Sequence, residues 1–146
     1  MTRPAVIVAA EIEVALRDAA AAAWPDEFAG VVGGRRDGDT WHVDAFVGCR
    51  ADAHMHGFAI SAATFAAAEA QLRDLGHRWL GFVHSHPGAA PHPSHEDLAT
   101  AWPDALQLLL GSATREALAL RAFVIRDRVA TPLPVGNNAP TTGAPA

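Results

Sequence analysis

The sequence predicts an α/β domain with three layers, in which helices flank a mixed central β-sheet. Two segments carry apolar residues at helical spacing, and the segments between them are short and apolar or alternating, as is typical of strands. The near-continuous apolar run Trp79–Val83 predicts a central strand that is covered on both faces. At 146 residues, half of them hydrophobic, the chain is long enough for one domain with one substantial core.

The first half of the chain predicts a short strand or helix lead-in, a helix, two paired strands and a loop. Their ranges are 4–10, 11–23, 26–32, 41–47 and 48–57. Pro25 ends the helix, because the residue before a proline avoids the α region. Gly33-Gly34 predicts a turn that leads into a polar hairpin loop.

The second half predicts a helix, a buried strand, a stiff proline-containing loop, a short helix and two paired strands. Their ranges are 62–75, 79–83, 87–93, 94–102, 105–110 and 118–125. Ser61 and Gly76 are the expected start and stop signals of the first of these helices. Residues 132–146 are rich in Pro, Gly, Asn and Thr and predict a flexible tail, so the domain is expected to span residues 1–131.

Composition excludes some classes of partner. The net charge of −5 and the pI near 5.8 argue against nucleic acid or an anionic membrane as the main partner. The early apolar run is too short for a secretory signal, and no segment reaches the length of a membrane span. Cys49 is the only cysteine, so no internal disulfide or cysteine-based zinc ribbon can form. A cytoplasmic location is expected, and Cys49 is interpreted as a small, partly buried residue rather than a nucleophile.

The most informative stretch is His84-Ser85-His86-Pro87, followed at a fixed distance by Ser94 and Asp97. Histidines at i and i+2 of an extended segment point to the same side, and a carboxylate from the next helix can supply a third ligand. Each part has a simpler explanation, because eight histidines produce such spacings by chance and Ser-x-x-Asp resembles a capping box. Together they predict a catalytic zinc site, with the capping role left to Ser94 alone because zinc would hold the carboxylate.

A zinc hydrolase also needs a base, and Glu27 is the candidate because it stands in an otherwise apolar segment. An exposed acid on an edge strand is an equally good interpretation of Glu27 from the residues alone. Glu96 is expected to point away from Asp97 by about 100° on the helix. Glu11 and Glu13 are expected to be solvated helix positions.

The run Gly81–Pro87, with Ser94–Asp97 after it, resembles the motif of the JAMM (MPN-plus) metalloprotease family, and Glu27–Gly33 resembles the upstream Glu segment of its bacterial members. The resemblance covers roughly residues 5–126 and implies a cytidine-deaminase-like MPN/JAB fold. It also implies that His84, His86 and Asp97 bind one zinc ion, that Glu27 is the general acid/base, and that Ser94 donates a hydrogen bond to the developing oxyanion. Ser85 would be a small residue between the ligands.

The resemblance further implies cleavage after the C-terminal glycine of a ubiquitin-like or sulfur-carrier protein. Ala29 stands where bacterial members often have a cysteine, and the loop at 48–57 is too short for the insertion of eukaryotic deubiquitinating members. A small bacterial-type enzyme is therefore expected, acting in metabolism or in a conjugation or phage-defence pathway, with a homodimer left open. The alternative is a catalytically silent scaffold of the same fold that binds such a partner. A zinc deaminase is excluded, because its cysteine pair cannot be built from one cysteine.

Four further histidines have no place in the motif. His92 and His95 flank the predicted site, and His54 and His56 form a second His-x-His pair that lacks a following acid. The 48–57 loop is expected to contact the substrate tail rather than to bind metal.

Overall fold

The computed structural model describes residues 4–49 and 60–137, and within them eight strands form one mixed sheet. The strands are Ala5–Val8 (β1), Ala29–Asp37 (β2), Thr40–Cys49 (β3), Arg78–Pro87 (β4), Leu106–Ser112 (β5), Ala119–Arg126 (β6), Val129–Leu133 (β7) and Val135–Asn137 (β8). The helices are Ala10–Ala23 (α1), Ala62–Asp74 (α2) and His95–Thr100 (α3), and a 3-10 turn covers Arg115–Ala117.

The strand order is β7-β6-β5-β4-β2-β3-β1-β8, so β4 lies in the middle of the sheet. It runs antiparallel to β2 and parallel to β5. At Gly81 the two parallel strands approach so closely that a Cβ atom would lie 1.9 Å from the carbonyl oxygen of Leu106. The central position that the apolar run Trp79–Val83 predicts is therefore observed.

Helices cover both faces of the sheet. Since neighbouring residues of a strand point to opposite sides, one strand can contribute to the core on each face. Val32 of β2 belongs to one core together with Leu16 of α1, whereas Val31 belongs to a second core together with Leu72 of α2. All four side chains are fully buried. The predicted fold class, a mixed sheet flanked by helices, is confirmed. None of the described helices is long and apolar enough to cross a membrane.

The predicted turn at Gly33-Gly34 is wrong. β2 continues through both glycines to Asp37, with a shift in its pairing register to β3 between them, and the chain turns at Gly38 instead. Glycine is common at bulges within strands as well as in turns. Here β2 stays paired with the long strand β3 on both sides of the register shift. β2 also begins at Ala29 rather than at residue 26, so Glu27 precedes the strand.

The sheet continues past residue 131, where the sequence predicts the end of the domain. β7 extends to Leu133, and β8 pairs parallel with β1, where the Val6 N–H donates to the Pro134 carbonyl at 2.9 Å. Composition misleads here, because β7 is an edge strand and an edge strand tolerates a residue such as Pro132 that lacks an N–H. The rest of the predicted tail, residues 138–146, lies outside the described residues.

Candidate metal centre

The central strand carries both histidines of the motif. His84 and His86 lie within β4, which stays paired with β5 as far as Pro87. Since they are two residues apart on a strand, their imidazoles share one face. Their Nε2 atoms are 3.1 Å apart, and His84 is 2% exposed.

Asp97 reaches the histidines from the first turn of α3. Its Oδ2 lies 3.3 Å from the Nε2 atoms of both His84 and His86. The same oxygen accepts a hydrogen bond from the Ser94 N–H at 2.9 Å, and the Ser94 Oγ accepts one from the Asp97 N–H at 3.0 Å. The expectation that only Ser94 would cap the helix is therefore wrong. Because the helix starts close to the imidazoles, Asp97 Oδ2 lies near both histidines and also accepts the hydrogen bond from the Ser94 N–H.

These three donor atoms have the spacing that a tetrahedral metal site requires. Two ligands of a tetrahedral zinc ion, each at about 2.0–2.1 Å, are about 3.3 Å from one another. The observed separations are 3.1, 3.3 and 3.3 Å. The chain thus brings together His84, His86 and Asp97 as a group that could hold a metal ion. Two imidazoles and a carboxylate suit zinc and leave one of four positions to a non-protein ligand.

The electrostatics of the three groups are coupled. Burial would raise the pKa of the Asp97 carboxyl, but hydrogen bonds from His84 and His86 hold that pKa well below its ordinary value. The hydrogen bond to Asp97 raises the pKa of His86, although desolvation opposes it, and the charge of Glu27 adds to the rise. The carboxylate is therefore ionised and ready to bind a cation, whereas the raised pKa of His86 makes protons compete with the cation for its imidazole.

An open cleft of about 580 Å³ lies beside the donor atoms. His86 and Asp97 border this cleft, and so do Glu27 and Ser94, the two residues predicted to assist the chemistry. Glu96, expected to point away from Asp97, borders the cleft as well. Both acidic residues in the first turn of this six-residue helix, Glu96 and Asp97, therefore border the cleft.

The loop between β4 and α3, which forms one wall of the cleft, packs against the sheet. Ala89 forms a bridge with Ser112 of β5, and Pro91 is buried. A Cβ atom on Gly111 would lie 2.5 Å from the Ala89 carbonyl oxygen, so the loop can sit this close only over a glycine. The cleft also has His92 in its wall, a residue for which the sequence offered no role.

The other candidate residues that the structure describes do not border the cleft. Glu11 is exposed, as expected, whereas Glu13 is partly buried and pairs with Arg17 at 2.8 Å. Burial raises the pKa of the Cys49 thiol, so the neutral form is favoured and the thiol is a poor nucleophile. His95 is exposed and is not among the residues that border the cleft. His54 and His56 lie outside the described residues.

Sequence reasoning missed the part that Ser85 has in this site. Ser85 is 1% exposed, and its Oγ accepts a hydrogen bond from the Phe28 N–H at 2.8 Å. Its own N–H donates to the Phe28 carbonyl at 2.9 Å. These bonds join the strand of the histidines to the residue next to Glu27. No local pattern reveals them, because they depend on the pairing of β2 with β4.

The sheet and its three converging donors define a class of protein, an α/β domain with a candidate metal centre at the end of its central strand. Residues 9–127 match the family of prokaryotic homologs of the JAB domain (Prok-JAB). The chain belongs to this family, and the resemblance to JAB/JAMM proteins is confirmed. Among curated proteins none matches the sequence.

Solved structures agree with this assignment. A protein from Desulfitobacterium hafniense is 25% identical, with 91% of this chain and 92% of that one covered and a TM-score of 0.82. A JAB1/MPN domain protein from Archaeoglobus fulgidus is 19% identical, with 89% and 98% covered and a TM-score of 0.54. A structure described as a JAMM metalloprotease-like zinc site in the proteasome and signalosome is also 19% identical, with 90% and 97% covered and a TM-score of 0.54. At 19% identity the last two establish the fold alone.

Proposed function

We propose that this protein is a zinc-dependent metallopeptidase that hydrolyses a peptide or isopeptide bond after the C-terminal glycine of a ubiquitin-like or sulfur-carrier protein. One observation carries the proposal. His86 and Asp97, two members of the group that could hold a metal ion, line the same cleft as Glu27 and Ser94. A metal-binding group, a carboxylate and a hydroxyl in one cleft are the components that hydrolysis of an amide requires.

His84, His86 and Asp97 would hold the zinc ion. When bound, zinc supplies a Lewis acid that polarises the carbonyl of the substrate and lowers the pKa of water to about 7. Asp97 contributes the negative charge of the donor set, and its contact with the Ser94 N–H fixes the orientation of the carboxylate.

Glu27 would move the proton. It accepts a proton from the attacking water as the C–O bond forms and delivers it to the leaving nitrogen as the C–N bond breaks. Its position supports this role, since it borders the cleft and its charge acts on His86. No acyl-enzyme is needed, because water is the nucleophile.

Ser94 would stabilise the charge that develops on the carbonyl oxygen. Its Oγ already accepts a hydrogen bond from the Asp97 N–H, so its own O–H proton can point toward a substrate. A donor that is fixed before the reaction begins does not need to reorganise in the transition state.

Membership of the JAB family supports the choice of substrate. The zinc site of one structural relative is described as metalloprotease-like. Whether the reaction serves metabolism, a conjugation pathway or phage defence depends on the protein that supplies the tail.

The test combines metal analysis with cleavage. Zinc content is measured by mass spectrometry before and after chelation, and fusions with ubiquitin-like and sulfur-carrier tails are incubated with the metal-loaded protein. Zinc at one per chain and a cut after the terminal glycine support the proposal. A chain that binds these partners but holds no zinc and cuts none of them would instead be the scaffold.

A further inference from the structure

We propose that Ser85 is a positioning residue whose hydroxyl holds the segment of Glu27 at the cleft. This inference rests on the proposed function, in which Glu27 transfers the proton. Ser85 stands between His84 and His86, but its side chain points to the opposite face of β4, away from the donor atoms. Its contacts are with Phe28, the residue that follows Glu27.

The hydroxyl completes the end of a strand pair. β2 pairs with β4 from Ala29, which stands opposite His84. One step further, the main chain supplies one bond, from the Ser85 N–H to the Phe28 carbonyl, and the side-chain Oγ accepts the other from the Phe28 N–H. Antiparallel partners ordinarily exchange both bonds through the main chain. Here the second depends on the identity of a side chain.

The site leaves this N–H little alternative. Ser85 is 1% exposed, so water has poor access to the position of its Oγ. The ring of Phe28 also packs edge-on against that of Phe46, with 6.1 Å between centroids. Without the hydroxyl, the Phe28 N–H would lose its acceptor while its side chain stays anchored, and the main chain on the Glu27 side would have to move.

Glu27 is sensitive to such a movement because it precedes the strand and is exposed. The anchored residue nearest to it on the strand side is Phe28. A carboxylate that transfers a proton must lie within hydrogen-bond reach of its partner, and a displacement of about 1 Å can cost about a hundredfold in rate. A small filler between two ligands, the simpler role expected for Ser85, would be served equally well by alanine.

The experiment compares Ser85→Ala, Glu27→Gln and the double variant in the full-length protein. In the metal-free form, hydrogen exchange at the Phe28 amide is followed by NMR, with zinc affinity measured by chelator competition. We expect faster Phe28 exchange in Ser85→Ala, an unchanged zinc affinity, and a fall in kcat of roughly ten- to a hundredfold with KM little changed. In the Glu27→Gln background, Ser85→Ala should cause no further fall in kcat.

Ser61→Ala is the matched control. The Ser61 Oγ also accepts a backbone hydrogen bond, from the Thr64 N–H at 3.1 Å, but it caps α2. This variant should lower thermal stability without changing kcat.

Three results would overturn the inference: an unchanged Phe28 exchange rate in Ser85→Ala, an unchanged kcat despite faster exchange, or an equal fall in kcat with and without Glu27. If Glu27→Gln itself cleaves at the wild-type rate, the proposed function loses its base. The exchange measurement then still decides whether Ser85 tethers Phe28.

Discussion

Replacing Asp97 separates metal binding from helix capping, because one oxygen of this residue takes part in both. Asp97→Asn keeps an oxygen that can accept from the Ser94 N–H but removes the charge that binds a cation. Asp97→Ala removes both. The comparison of the two variants therefore isolates the capping bond, and the comparison of Asp97→Asn with the wild type reports the metal ligand.

The expected magnitudes follow from these contacts. Removing a partner of a zinc ligand commonly costs ten- to a hundredfold in affinity, so loss of a ligand should cost more than about a hundredfold in both variants. The loss of the N3 part of the capping box in Asp97→Ala should cost a further ~1 kcal/mol relative to Asp97→Asn, which corresponds to about 2–4 °C in Tm for a chain of this size. Both variants also lose a carboxylate whose pKa is lowered in the folded protein. Such a carboxylate stabilises the folded state at pH values above its folded-state pKa, and this contribution is lost in both variants.

The assay is thermal unfolding with and without zinc, together with chelator competition. Saturating zinc should raise the Tm of the wild type by roughly 8–16 °C, since a ligand at about a thousand times its Kd contributes about 4 kcal/mol. Both variants should lose most of this rise. If Asp97→Asn binds zinc as tightly as the wild type, Asp97 is not a ligand and the donor triangle has been misinterpreted.

Three further predictions address the remaining groups of the site. Glu27→Gln should lower kcat by about 10²–10⁴-fold with zinc still bound, because a base is lost but no ligand; metal content and turnover are measured together, and a loss of zinc would argue against the assignment. Ser94→Ala should lower kcat by about 10²–10³-fold and Tm by a few degrees, since it removes both an oxyanion donor and a helix cap; normal turnover with a lowered Tm would leave only the cap. Zinc affinity should fall as pH falls through the raised pKa of His86, by about tenfold per pH unit for each proton displaced; a flat chelator-competition profile between about pH 8 and pH 5 would contradict this.

The sequence predicted the parts of the site that depend on local spacing. The imidazoles of His84 and His86 share a face because a strand repeats every two residues, and Asp97 was placed correctly at the start of a helix. The distance from Asp97 to the two imidazoles depends on the loop of residues 88–94 and its packing over Gly111, which no pattern along the chain encodes. Contacts between distant segments, such as Ser85 with Phe28, were missed for the same reason.

The fold was predictable where burial dominates and less so at the edges of the sheet. Trp79–Val83 is apolar enough to identify the central strand, and the alternation at 41–47 identifies β3. At Gly33-Gly34 the composition of a turn and that of a bulge are the same, so only the partner strand decides between them. β8 is short and lies at an edge, so few of its residues need to be apolar.

The pairing of β8 with β1 has a practical consequence for shortened versions of the protein. Removing the residues after 131 would remove β8, the strand that pairs with Val6–Val8 of β1. Backbone N–H and C=O groups of β1 would then be left unpaired. Such a border is a template for other chains, so the trimmed protein should self-associate or precipitate. Anyone who trims the proline-containing segment to obtain crystals would then be studying aggregates.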